Sequence, residues 1–156
     1  MSSRKLIFLS LFCFIANFNL FASIKASDNN SEANKKVNRV VALTSLSADL
    51  VNYISNESLI AIPGSSLLKK NQDFANKTII SSGRMPPNLE KIIKLKPDLV
   101  IGSKGFHDKT LKNLDKLGVK TLSSRVKNFK DLEKLSSDIQ ILLGKKSKLE
   151  LSNIIP

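Results

Sequence analysis

The sequence predicts an α/β fold: one lobe with a parallel sheet of about five strands, flanked by helices. Two observations carry this. Short apolar runs recur from Arg39 onward, and between them lie stretches whose apolar residues repeat at helical spacing. An unbroken apolar run reads as a strand buried on both faces, and strands that alternate with helices in one sheet run parallel.

The elements follow in order. Arg39-Val40-Val41-Ala42-Leu43 forms the first strand. Ser47 can cap the next helix, whose inward stripe is Leu50, Val51 and Ile54, with Tyr53 at the core edge. Leu59-Ile60-Ala61-Ile62 is the second strand, stopped by Pro63-Gly64, and Thr78-Ile79-Ile80 is a short third. Pro87-Asn88 opens a helix carrying Leu89, Ile92 and Ile93, and Pro97 closes it. Asp98-Leu99-Val100-Ile101-Gly102 is the fourth strand. Asp108 caps a helix with Leu111, Leu114 and Leu117 inward, and Gly118 ends it. Val119-Lys120-Thr121-Leu122 is the fifth strand. The last helix covers residues 128–143, faces inward with Leu132, Leu135, Ile139 and Leu142, and stops at Gly144. In such sheets a ligand sits outside the carboxyl ends of the strands. The loops at that end are residues 44–47, 64–66, 81–86 and 103–107.

Residues 1–38 stand apart from the lobe. Arg4 and Lys5 precede an apolar run over residues 6–21, and a looser stretch leads to Ala26. This is the layout of a signal peptide, residues 1–26, cleaved after Ala26 and directing export to the periplasm. The run is shorter than the roughly 20 residues a bilayer requires, which disfavours the alternative of an uncleaved anchor. Residues 27–38 are polar and aperiodic and read as a flexible leader, and residues 39–156 form the lobe. Cys13, inside the apolar run, is the only cysteine, so the exported chain is held by packing and not by disulfides.

The formal charge is +12, and loss of Arg4, Lys5 and Lys25 lowers it by three. The lysines are scattered over the helices and do not alternate with aromatics. With no tryptophan and one tyrosine there is little to stack on bases, so no nucleic-acid partner is expected and the surface reads as solvated. One histidine excludes a multi-histidine metal site. No nucleophile elbow or paired carboxylates appear, so the chain is read as no enzyme and as needing no cofactor. Gly102-Ser103-Lys104-Gly105 lacks the glycine spacing of a phosphate loop.

The segment Asn88-Leu89-Glu90-Lys91-Ile92-Ile93-Lys94-Leu95-Lys96-Pro97-Asp98-Leu99-Val100-Ile101 resembles the signature of the iron-siderophore and vitamin B12 periplasmic-binding family. There a Pro-Asn-Leu-Glu helix leads through a Lys-Pro-Asp-Leu-Val strand. The opening strand and the later helices fall in the family's order, so the resemblance covers residues 39–156. It implies a single Rossmann-like N-terminal lobe of the substrate-binding component of an ABC importer, or a truncated part of one, for ferric siderophore or related metal chelates. Family members have two lobes with the ligand in a shallow cleft between them. Here the second lobe is expected to be absent, because a helix opening at Lys145 has little room before Pro156.

The resemblance also implies roles. Glu90 matches the glutamate that docks on the importer's membrane subunit, which would be the only link to a membrane. Arg84 matches an arginine that siderophore binders often carry before Pro-Asn-Leu-Glu, and its planar fork of donors suits carboxylate or hydroxamate oxygens. Ser66, Ser103, Lys104 and His107 are further candidates on the ligand rim. Ser66, Ser82 and Ser103 stand near where cobalamin- and haem-binding relatives carry aromatics, which disfavours flat-ring stacking. Each residue has a plainer reading too: Asn88 as a helix cap, Glu90 as a first-turn acid, Arg84 and His107 as exposed loop residues. The rival functions are a remnant without tight binding, an interaction module that docks on the importer, and a small secreted enzyme.

Overall fold

The computed structural model describes residues 36–82 and 85–145. The residues read as a signal peptide, and most of those read as a leader, lie outside the described residues. Val37 is buried and the Asn38 amide donates to Asp98 Oδ2 at 3.1 Å, so the ordered lobe takes in two residues assigned to the leader. The elements are β1 (Val40–Ala42), α1 (Ser45–Ser55), β2 (Leu59–Ile62), α2 (Ser66–Lys69), β3 (Thr78–Ile79), α3 (Leu89–Lys94), β4 (Leu99–Ser103), α4 (Asp108–Lys116), β5 (Lys120–Ser124) and α5 (Phe129–Leu143). The strands form one sheet in the order β3-β2-β1-β4-β5, and every neighbouring pair is parallel.

Alternation along the strands divides the interior into two cores. Val40, Ala42, Leu99 and Ile101 pack with Leu50 and Val51 of α1 and Leu135, Ile139 and Leu143 of α5. Val41, Leu43 and Val100 pack with Ile92 of α3 and Leu111 and Leu114 of α4. Each of the valine, leucine and isoleucine side chains among them, once fully buried, contributes about 1.5–3 kcal/mol. The β1–β2 register slips between Val40↔Leu59 and Val41↔Ala61, a bulge that leaves Ile60 and Ala61 on the same core.

Most helix ends follow the sequence. Asn88 Oδ1 accepts the Lys91 amide at 2.8 Å and Asn128 Oδ1 accepts the Asp131 amide at 2.9 Å. Gly118 and Gly144 take the positive φ that ends α4 and α5. Two caps differ. Thr44, not Ser47, caps α1: its Oγ1 accepts the Ser47 amide, and Ser47 is buried at the third helical position. His107, not Asp108, precedes α4, and Asp108 is the first helical residue, its Oδ1 accepting the Gly105 amide at 2.9 Å. Leu117 is exposed where an inward position was expected, because α4 ends one residue earlier. Tyr53 is exposed as well. α2 has no counterpart in the sequence reading; Ser65 caps it.

Asp98 and Arg39 form a clamp beneath the sheet. Asp98 Oδ2 accepts the amides of Asn38 and Arg39, and the Arg39 guanidinium donates to the carbonyls of Leu95 and Lys96. The chain entering β1 is thereby pinned to the turn entering β4.

Candidate functional site

β1 continues to β2 on one side, whereas β4 lies on the other, so the carboxyl ends of β1 and β4 flank a topological switch point. The loop from β4 into α4 stands there and is braced internally. The Ser103 amide donates to His107 Nδ1 at 3.0 Å, the His107 amide returns to the Ser103 carbonyl, and the Lys104 amide donates to Ser124 O at 2.8 Å. Gly105 takes φ +91, which a side chain would strain. Gly102 has to be glycine for a different reason: a Cβ there would stand 3.0 Å from His107 Cβ and 3.1 Å from Leu111 Cδ1. The bracing presents Lys104 outward and leaves Phe106 exposed, its ring edge-on to the His107 imidazole.

His107 is buried at 5 % exposure, against the reading of an exposed loop residue. Its Nδ1 accepts a hydrogen bond, so the ring is neutral, with the proton on Nε2. Burial holds its pKa below the ordinary 6.5, and Asp108 pulls it partly back. Below that value an unfolded histidine takes a proton that the folded loop refuses. The unfolded state then binds more protons, and stability falls as the pH drops through about 6.5. Thermal melts of the protein at about pH 7.5 and 5.5 should show this loss. In His107→Gln, which keeps an acceptor without titrating, the loss should shrink; an equal loss in both proteins would refute the coupling.

Lys104 also lines a cleft of about 270 Å³ beside the sheet's edge. Ser123, Ser124 and Arg125 form its strand side, and Asp131, Lys134, Leu135 and Asp138 of α5 form the other. The Arg125 guanidinium reaches over Gly105, 3.4 Å from where a Cβ would stand. Arg125 was not singled out in the sequence because it follows an edge strand and belongs to no motif. A broader depression of about 450 Å³ includes Ser81, Ser82, Met85 and Asn88 after β3, where Ser81 Oγ accepts the Gly64 amide.

The structure thus brings Ser103, Lys104 and His107 into one loop, with Arg125 beside it. Ser66 is exposed at the start of α2, after β2, on the other side of β1. Arg84 lies outside the described residues. Glu90 is exposed in the first turn of α3. Among the described residues there is no group of three or more histidine, cysteine or carboxylate side chains placed to hold a metal ion, and no helix is long and apolar enough to cross a membrane.

A lobe with its loops gathered at the carboxyl edge of a parallel sheet suits a solute-binding protein, and the comparisons agree. Residues 40–145 match the family model described as periplasmic binding protein, and the chain belongs to that family. The iron-uptake system-binding protein of Bacillus subtilis (strain 168) is 32% identical over 78 residues, which cover 49% of this chain and 24% of that protein. Staphylococcus aureus SirA complexed with staphyloferrin B is 30% identical, with a TM-score of 0.55, covering 71% of this chain and 38% of that one. Helicobacter pylori Ceue with Ni(II) bound shares the fold at 21% identity, with a TM-score of 0.62 over 77% of this chain and 42% of that one. The chain therefore spans about a quarter of its curated relative and about two fifths of these solved structures. A periplasmic haem-binding protein of Pseudomonas aeruginosa also shares the fold, at 22% identity with a TM-score of 0.59 over 69% of this chain and 39% of that one.

Proposed function

We propose that this chain supplies the N-terminal lobe of the substrate-binding component of an ABC importer, exported to the periplasm and taking ferric siderophore-type chelates. The observation that carries this reading is the braced loop at the switch point, which sets Lys104 beside Arg125 at the edge where ligands of such sheets bind. Two cations there suit the anionic oxygens of a hydroxamate or carboxylate chelate, and a guanidinium can grip a carboxylate through two parallel bonds. Ser103 and Ser66 are rim donors in this reading, and Arg84 contributes from the loop after β3. His107 serves beneath the rim as the brace of Lys104's loop. Binding is non-covalent and no bond of the ligand is made or broken. Glu90, exposed on α3, docks on the importer's membrane subunit.

Calorimetric titration with ferric hydroxamate and ferric carboxylate chelates tests the site. Arg125→Ala and Arg84→Ala should each weaken binding at least about tenfold, the scale of one charge-assisted hydrogen bond. Tyr53→Ala, on the exposed side of α1, should leave affinity unchanged. Equal affinity in all three variants would remove both arginines from the ligand site. No binding of any chelate by the parent protein would favour the docking or remnant readings.

A further inference from the structure

The second core's helices carry a basic outer surface. On α4, Lys109, Lys112 and Lys116 are exposed and fall on one stripe, opposite the buried Leu111 and Leu114. On α3, which packs over the same face of the sheet, Lys91 and Lys94 are exposed, the Lys91 ammonium donating to the Ile79 carbonyl at 2.6 Å. Against five exposed lysines these two helices carry three carboxylates: Glu90, exposed on α3, Asp108, which accepts the Gly105 amide, and Asp115, which accepts the Thr121 hydroxyl. Among the described residues the ion pairs are Lys134–Asp138 and Lys145–Glu57, and both involve the opposite helix layer or its flank. Two large apolar side chains, Ile93 of α3 and Leu117 at the end of α4, protrude from these helices at 40% and 60% exposure.

We propose that the α3–α4 layer is a docking surface for an anionic lipid bilayer. Clustered lysines near such a surface each add about a fivefold gain in partition, and protruding apolar groups enter the headgroup boundary. A nucleic acid fits this surface less well, because the single tyrosine, Tyr53, lies on α1 in the other layer and the chain has no tryptophan. The layer lies along the flank of the sheet, so docking leaves the loops at the strands' carboxyl ends open. Docking on lipid would be a second membrane contact, beside the importer docking assigned to Glu90 on α3, and it stands independently of the ligand proposed above.

The test is flotation of the chain as exported, residues 27–156, with vesicles of phosphatidylglycerol and phosphatidylcholine, against phosphatidylcholine alone, at low salt. Binding to the anionic vesicles should fall steeply by about 0.5 M salt, where screening is nearly complete within a few ångströms. Lys109→Glu, Lys112→Glu and Lys116→Glu together should lower the partition on the order of a hundredfold. Lys130→Glu with Lys134→Glu, on α5, should change it far less, with circular dichroism verifying that both variants fold. Equal loss in the two variants, or no preference for anionic lipid, would overturn the proposal. So would binding to duplex DNA or polyglutamate without binding to vesicles, which would assign the face to another partner.

Discussion

Replacing Ile139 with alanine is expected to destabilise the lobe by about 3 kcal/mol. Ile139 is fully buried on α5, between Leu135 and Leu143, in the core that α5 shares with α1 and the sheet. The change removes apolar surface from that core and leaves a cavity that a rigid parallel sheet closes only in part, so both penalties apply. A domain of this size has roughly 5–15 kcal/mol to lose, so the effect is a large share of its stability. Urea unfolding should show a lower midpoint with an unchanged slope, and Ile139→Val should lose only about 1 kcal/mol. A loss below about 1 kcal/mol for the alanine variant would mean that α5 is not closed on the core as described.

Gly102→Val should cost about 1–3 kcal/mol and disturb the candidate site as well. The new Cβ would meet His107 Cβ at 3.0 Å and the Leu111 side chain at 3.1 Å, inside ordinary contact. Leu111 can rotate, but His107 Cβ is fixed to the backbone that precedes α4, so the loop itself must shift. Its hydrogen bonds from the Ser103 amide and to the Ser103 carbonyl would then loosen, and with them the position of Lys104. Chelate affinity should therefore fall together with thermal stability. Stability lost with affinity intact would show that the loop's placement does not set the site.

The fold was largely legible because burial of a parallel strand is written in short apolar runs, and because Asn88, Asn128, Gly118 and Gly144 mark helix ends by their own chemistry. The cap of α1 was misread for a plain reason. Thr44 and Ser47 are both competent caps one turn apart, and only the backbone decides which lies outside the helix. The site was less legible. His107 was expected at the surface, since sequence does not disclose that the Ser103 amide needs an acceptor. Arg125 gains its place only when β5 pairs with β4 and brings it over Gly105, a neighbour twenty residues away in the chain. Asp98, by contrast, belongs to the segment that carries the family resemblance, and its hydrogen bonds to the amides entering β1 give it a structural role in the lobe.

The bulge in β2 bears on how this lobe tolerates changes in chain length. Ile60 is a spare residue: Leu59, Ala61 and Ile62 already supply the alternation that matches β1 without it. A strand with such slack can shorten by one residue and keep its inner and outer sides. β4 has none, since Leu99, Val100 and Ile101 pair with β1 one for one. Loss of a residue there would turn the rest of the strand over, exchanging the contents of the two cores. The same sheet thus holds one strand that is indifferent to its own length beside another for which length is identity.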